Sequence, residues 1–269
     1  MYSTKRVTLI ISSLSGGGAE GVCVNIANSL SDNGWQVDLV VLNLNNEVYL
    51  DRISNKINLI VLNVNHTRYS FVPLLKYLYI NKAKSCLVFN HELAVTLVIL
   101  RILFRLDIKI ISRNISVLSI KIKQLKKRGI WQRYAVRPLV TYFYQKIDHV
   151  VNQCHSMRED MIRVYPQLHN NSSVIYNPIA THFEVYIKNN NLTSIEKKNY
   201  LLCVGRLDEV KAFHYAIEGF AGIANKFPNL RLKIVGKGSL EKDLKQKAIY
   251  HDVVDRVDFE GFQKDVIQY

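Results

Sequence analysis

Cys203-Val204-Gly205-Arg206-Leu207-Asp208-Glu209-Val210-Lys211 is the stretch on which the reading of this chain turns. The apolar run Tyr200 to Val204 leads into it and reads as a buried strand, which Gly205 ends. A helical pattern starts at Ala212, with Ile217, Phe220, Ala224 and Phe227 on one face. Arg206 and Lys211 therefore stand at the C-terminal end of a strand, just before a helix N-terminus. In open α/β sheets that edge is where ligands bind. Two cations beside the positive end of a helix dipole suit a diphosphate. An exposed Arg and Lys flanking an ordinary βα loop is the plain alternative, and this stretch alone leaves both open.

The composition narrows the choice. A chain of 269 residues is large enough for one big or two smaller α/β domains with a proper core. Its formal net charge of +14 points to an anionic partner: nucleic acid, a phosphate-rich ligand or an acidic membrane. Cys23, Cys86, Cys154 and Cys203 are far apart and show neither metal spacing nor a disulfide framework, which suits a reducing cytoplasm. No signal peptide is read at the N-terminus. The most apolar stretch, Leu93 to Phe104, contains Arg101 and is too short to span a bilayer.

Upstream, the chain alternates strands and helices. Arg6 to Ser12 is a β-branched strand that runs into Ser13-Leu14-Ser15-Gly16-Gly17-Gly18-Ala19-Glu20. A helix with Ala19, Val22, Ile26 and Leu30 on one stripe follows and stops near Asn33-Gly34. Strands are expected at 35–42, 57–64, 86–90, 108–112, 148–152 and 173–176, with helices over 71–80 and 91–104 and after His155. In the glycine turn, the backbone N–H groups of Gly16, Gly17 and Gly18 can approach a ligand closely. Gly16, Gly18 and Gly21 also match the G-x-G-x-x-G dinucleotide pattern. That pattern needs an acid at the end of the second strand, for the ribose, and Leu42-Asn43-Leu44-Asn45-Asn46 has none. A nicotinamide-dependent dehydrogenase is thereby disfavoured.

Several of these segments resemble family-4 retaining glycosyltransferases of the GT-B fold. Gly205-Arg206-Leu207 with Lys211 resembles the Gly-Arg-Leu-x-x-x-Lys segment of that family. There the Arg and Lys hold the diphosphate of a nucleotide-sugar. Gly17-Gly18-Ala19-Glu20 resembles the turn common in members that build bacterial polysaccharides, although Gly21 replaces the usual cation. Val235-Gly236-Lys237-Gly238 is similar to the family's second glycine turn, at the nucleotide end of the donor pocket. Gly261-Phe262 with Val266, and Asn177-Pro178-Ile179, also have counterparts. By the same resemblance His91, Arg113 and Asn114 are candidate contacts for the acceptor or the transferred sugar. For His91 a cap-region role ranks ahead of a sugar contact, and for Arg113-Asn114 a loop-capping role stays equally open.

Residues 108–147 hold ten Lys and Arg and no Asp or Glu, interleaved with Trp131, Tyr134, Tyr142, Phe143 and Tyr144. Cations mixed with aromatics suit an anionic membrane interface, with Lys123, Lys126, Lys127, Arg128 and Trp131 facing it. A solvated basic helix face is the bland alternative. Helix-turn-helix, zinc-finger and RNP patterns are absent from the sequence, so nucleic acid is set aside.

The expected fold is α/β of GT-B type: two Rossmann-like domains with parallel sheets, the second incomplete. Residues 1–180 form the acceptor-side domain, 181–198 a linker, and 199–269 part of the nucleotide-sugar-binding domain. The Glu-x7-Glu segment of the family's second domain does not occur in the sequence. The resemblance implies transfer of a sugar, with retention, from a nucleotide-sugar to a lipid-linked oligosaccharide or polysaccharide. The expected setting is surface polysaccharide (O-antigen or capsule) biosynthesis at the cytoplasmic, inner-leaflet membrane surface. Neither cofactor nor metal is expected, since fixed cations replace the metal and no Asp-x-Asp occurs. An inactive remnant or a binding module that keeps the fold is the alternative.

Overall fold

The computed structural model describes residues 5–45, 47–120, 122, 137–179, 181–190, 198–263 and 265–269. They divide into two compact units, Met1–Thr181 and His182–Tyr269. The expected membrane-facing Lys123, Lys126, Lys127, Arg128 and Trp131 lie outside the described residues, as do 191–197 of the expected linker.

The first unit is a seven-stranded sheet of β1 (Arg6–Ile11), β2 (Gln36–Val41), β3 (Asn58–Val61), β4 (Ser85–Val88), β5 (Lys109–Arg113), β6 (His149–Asn152) and β7 (Ser172–Val174). The order is β3-β2-β1-β4-β5-β6-β7, with every pairing parallel. Its helices are α1 (Gly18–Asp32), α2 (Phe71–Asn81), α3 (His91–Leu103), α4 (Arg137–Tyr144) and α5 (His155–Val164). Alternate residues of each strand feed two cores. Leu9, Ile11, Leu39 and Val41 pack with Cys23, Val24 and Ala27 of α1. Ile10, Val40 and Val88 pack with Leu74 of α2, Leu97 of α3, Tyr144 of α4 and Met161 of α5.

The sheet is crossed one way from β1 to β2 and the other way from β4 to β5. Right-handed crossovers then put α1 and α3 on opposite faces. The neighbouring strands β1 and β4 flank the switch point, where the loops after them diverge and leave a crevice. The glycine turn follows β1 and His91 follows β4, so the topology brings both to this one place.

The buried stripe of α1 differs by one position from the expected Ala19, Val22, Ile26 and Leu30. Cys23, Val24, Ala27 and Ser31 are buried, while Val22, Ile26 and Leu30 are half-buried shoulders. Small residues along the contact line let the helix lie close to the sheet, and the larger ones pack beside it. At its end Asn33 caps the helix and Gly34, at φ 79°, turns the chain into β2.

The second unit is a three-stranded parallel sheet of β8 (Tyr200–Val204), β9 (Arg231–Val235) and β10 (Val257–Gly261), in the order β10-β9-β8. Its helices are α6 (Thr181–Asn190), α7 (Phe213–Ala224) and α8 (Glu241–Tyr250). Leu232, Ile234 and Val257 pack with Ile217, Phe220 and Ala224 of α7 and with Leu244 and Ala248 of α8. The opposite sheet face carries Tyr200, Leu202 and Val204 of β8, with Leu202 40% and Val204 45% exposed. Beside them run the cross-strand pairs Arg231–Asp258 and Lys233–Glu260. β8, read from its apolar run as a buried strand, is instead an edge strand with one face uncovered, since no element packs on that side of the described sheet.

Three further expectations are corrected. Residues 181–190, read as linker, form α6, because only 189–191 are Asn-rich and Phe183, Tyr186 and Ile187 are compatible with a helix. Phe227 lies beyond the end of α7 and is exposed, not on its buried face. α7 begins at Phe213 and not at Ala212, because Ala212 is left-handed at φ 53° and turns the chain sharply into the helix.

Candidate active site

In the second unit the ladder between β8 and β9 continues past the strand ends. Gly205 N–H donates to the Val235 carbonyl at 2.9 Å and Leu207 N–H to the Lys237 carbonyl at 3.0 Å. Leu240 N–H donates back to the Leu207 carbonyl at 3.0 Å, and Gly236 N–H to the Gly261 carbonyl at 2.7 Å. Leu207 is buried in the core of the unit. Arg206, between two pinned residues, projects outward with its side chain 74% exposed. Lys211 is also exposed, and its aliphatic stem lies over Gly205.

The second glycine turn has a steric reason. A Cβ on Gly236 would stand 1.8 Å from the Gly205 carbonyl oxygen, and one on Gly238 would stand 2.3 Å from the Leu207 carbonyl oxygen. Both glycines let the loop after β9 lie against the cation-bearing loop after β8. Gly236 also has φ 146°, a conformation L side chains rarely adopt.

Asp208 bridges the Arg206 side chain and the Lys211 backbone, and carried no role in the sequence reading. Its Oδ2 lies 3.3 Å from Arg206 Nη2, and its Oδ1 accepts the Lys211 N–H at 3.3 Å. It thereby N-caps the 3-10 turn Glu209–Lys211. Its position as an Asp three residues before a turn end is the signal that could have found it.

In the first unit the turn after β1 is tight. Gly16 has φ 94°, and a Cβ there would meet Val48 at 3.0 Å. Val48 N–H donates to the Leu14 carbonyl at 2.9 Å, so the segment after β2 closes over the turn. Gly17 N-caps α1 without a side chain, and the carboxylate of Glu20 folds back over it. Gly18 has open space where a side chain would be.

His91 is the first residue of α3, whose N-cap Asn90 accepts the Glu92 N–H at 2.8 Å. Its ring turns inward: it is buried, 4.1 Å from the Tyr144 ring centroid, with Nε2 3.4 Å from the Tyr165 hydroxyl. Tyr144 OH donates to Asn114 Oδ1 at 2.8 Å, and Asn114 Nδ2 donates to Asn152 Oδ1 at 2.7 Å. Asn114 is thus the centre of a buried polar chain linking the ends of β5 and β6 to α4. Arg113 points to the other face and is also buried. One Nη donates to the Ile175 carbonyl and to Asn177 Oδ1, each at 3.0 Å, while Nε has no partner. Burial holds its guanidinium below the usual arginine range. Both residues organise the strand-end loops of the first unit, and Arg113 pins the segment leading to Asn177-Pro178-Ile179.

Cys86 is fully buried, and burial pushes its thiol up to about 12. Among the described residues no group of three or more His, Cys, Asp or Glu could hold a metal ion.

Two parallel α/β units, with a cation-bearing loop at a strand end of the second, form the architecture expected of the GT-B fold. Comparison with known proteins gives the family. The Glycosyltransferase Family 4 model matches residues 16–183, and the model of Glycosyl transferases group 1 matches 187–269. The chain belongs to glycosyltransferase family 4. It is 26% identical to an uncharacterized glycosyltransferase of Haemophilus influenzae over 275 residues, 98% of this chain and 71% of that protein. Anabaena Alr3699/HepE, solved in complex with UDP-glucose, superposes with a TM-score of 0.68 at 14% identity, over 96% of this chain and 69% of that one. WaaG, a glycosyltransferase involved in lipopolysaccharide biosynthesis, gives 0.66 at 17% identity, over 97% and 71%. At these identities the structures speak for the fold. Family membership decides how Gly16-x-Gly18-x-x-Gly21 is read, against the dehydrogenase.

Proposed function

We propose that the chain transfers a sugar, with retention, from a nucleotide-sugar to a lipid-linked or polysaccharide acceptor in surface polysaccharide biosynthesis. The observation that carries this reading is the Gly205–Lys211 loop, pinned by backbone hydrogen bonds and presenting two cations, in a family-4 glycosyltransferase. A departing nucleoside diphosphate gains negative charge as the glycosidic bond breaks. Fixed cations beside it stabilise that charge without reorganising. Arg206 and Lys211 take this role, and Asp208 sets their positions. In this reading the two cations do the work a metal ion would otherwise do, and no cofactor is required. Gly236 and Gly238 shape the donor pocket by letting the two loops meet, and Gly16 to Gly18 offer backbone donors from the first unit.

The related structures support a nucleotide-sugar donor, since those of HepE contain UDP or UDP-glucose. A role in surface polysaccharide rests on WaaG and on WaaB, a lipopolysaccharide outer core galactosyltransferase. His91, Arg113 and Asn114 act on the acceptor side by holding the strand-end loops in place.

The same reading puts the chain on the anionic inner leaflet, held by Lys123, Lys126, Lys127, Arg128 and Trp131. Exposed apolar residues on α2 and at the end of α3 support attachment: Val72, Tyr79, Ile80 and Leu103 face solvent near Lys76, Lys82 and Arg105. Among the described residues no helix is long and apolar enough to cross a membrane.

The test is release of nucleoside diphosphate from a panel of nucleotide-sugars, with and without a bacterial lipid extract as acceptor. Acceptor-dependent release from one donor, with the anomeric configuration of the product unchanged, is expected. Donor binding without release would make the chain a binding module.

A further inference from the structure

A second cleft opens in the first unit, between the first turn of α5 and the edge strand β7. It is an open depression of ≈310 Å³ lined by His155, Arg158, Ser172, Ser173, Val174 and Tyr176. None of the six is acidic, and three bring hydroxyl groups. Arg158 is held in place by neutral acceptors. Its Nε donates to Ser172 Oγ at 3.1 Å, and an Nη donates to the His169 carbonyl at 3.0 Å. Among the described residues no acid is ion-paired with it. Its charge is therefore oriented but not neutralised. Ser173 Oγ lies 2.9 Å from His149 Nε2, which fixes that hydroxyl at the cleft wall.

His155 is exposed at the first position of α5, edge-on to Tyr176 with ring centroids 6.4 Å apart. The N-cap, Cys154, makes no side-chain hydrogen bond, and the first turn holds no acid. The leading N–H groups of a ten-residue helix thus open beside the two basic side chains without a built-in anion. An oriented guanidinium, an imidazole and three hydroxyls line one cleft at the N-terminus of α5. Together they match the charge and acceptor geometry of a phosphoryl group.

We propose that this cleft binds a phosphate monoester, held by Arg158, His155 and the first turn of α5. This site is independent of the donor-binding reading, since it uses none of the residues placed there. The test is phosphorus NMR of inorganic phosphate, and separately of glycerol 3-phosphate, titrated with the full chain. Saturable binding of both is expected. Tighter binding of glycerol 3-phosphate marks a substrate-borne phosphate, and equal binding marks free phosphate. Arg158→Gln is expected to weaken both about tenfold, the worth of one charge-assisted hydrogen bond. His155→Asn, at an exposed position, is expected to weaken both severalfold and keeps the test valid if Arg158→Gln fails to fold. Lys226→Gln, exposed beyond the end of α7 in the second unit, removes the same charge and should change nothing. Absence of saturation with the parent chain, or an equal loss in Lys226→Gln, would overturn the proposal.

Discussion

Gly236 and Gly18 show how differently two glycines in similar turns are used. A Cβ at Gly236 would overlap a backbone carbonyl at 1.8 Å, while one at Gly18 meets nothing within 4 Å. Gly236→Ala is therefore expected to cost on the order of 2–3 kcal/mol and to part the two loops of the second unit. Gly18→Ala should leave stability unchanged or raise it by about 0.5–1 kcal/mol, since Gly18 is a helical position. Thermal melts of both variants check this. The sequence showed that these turns exist, because glycines interrupt apolar runs at strand ends. It could not show which glycine a neighbouring loop requires, since that depends on contacts between segments far apart in the chain. Asp208 escaped notice for a related reason: its bonds to Arg206 and Lys211 form only once the 3-10 turn has folded.

Asp38 makes the same point for whole elements. The strand expected at 35–42 carries an acid that was assigned no role: Asp38 sits inside β2 and is buried. It accepts from Tyr77 OH of α2 at 2.7 Å, from Asn58 Nδ2 of β3 at 2.9 Å and from Arg6 of β1 at 2.8 Å. Burial pushes its carboxyl up, but the hydrogen bonds from Tyr77, Asn58 and Arg6 outweigh that and hold it below its ordinary range. A carboxyl lowered on folding stabilises the protein at pH values above its unfolded pKa of about 3.9. That contribution is lost as pH falls through the lower folded value. Asp38→Asn is expected to cost on the order of 1–3 kcal/mol at neutral pH and to flatten the acid limb of the stability profile. Denaturant unfolding from pH 7 down to the acid transition checks both, and parallel profiles for the two proteins would refute the assignment. A lone acid inside an apolar strand was a visible signal, but its partners come from three other elements. By contrast the βα alternation was legible almost throughout, because strand and helix periods are local. The expected linker was misread where local composition gave a weaker signal: α6 has neither Gly nor Pro to break it.

At the scale of the molecule, the two units differ in how their sheets are covered. The first has a core on each face, and the second has one core and an open face of mixed apolar and ion-paired residues. Amide hydrogen exchange is expected to be faster in β8 and β10 than in β1 and β4, and equal protection would contradict this. Membrane attachment is also a property of the whole. Cations near an anionic bilayer contribute about 1 kcal/mol each, and salt screens them. Replacing Lys123, Lys126, Lys127 and Arg128 by Gln should release the chain from anionic vesicles in a sedimentation assay, while neutral vesicles bind neither form. The central claim is that Arg206 and Lys211 hold the diphosphate of a sugar donor. Calorimetric titration of the chain with UDP, and of Arg206→Ala and Lys211→Ala, tests it most directly. The account predicts saturable binding that each substitution weakens by at least about thirtyfold, equivalent to roughly 2 kcal/mol. The same dissociation constant in all three proteins would contradict it.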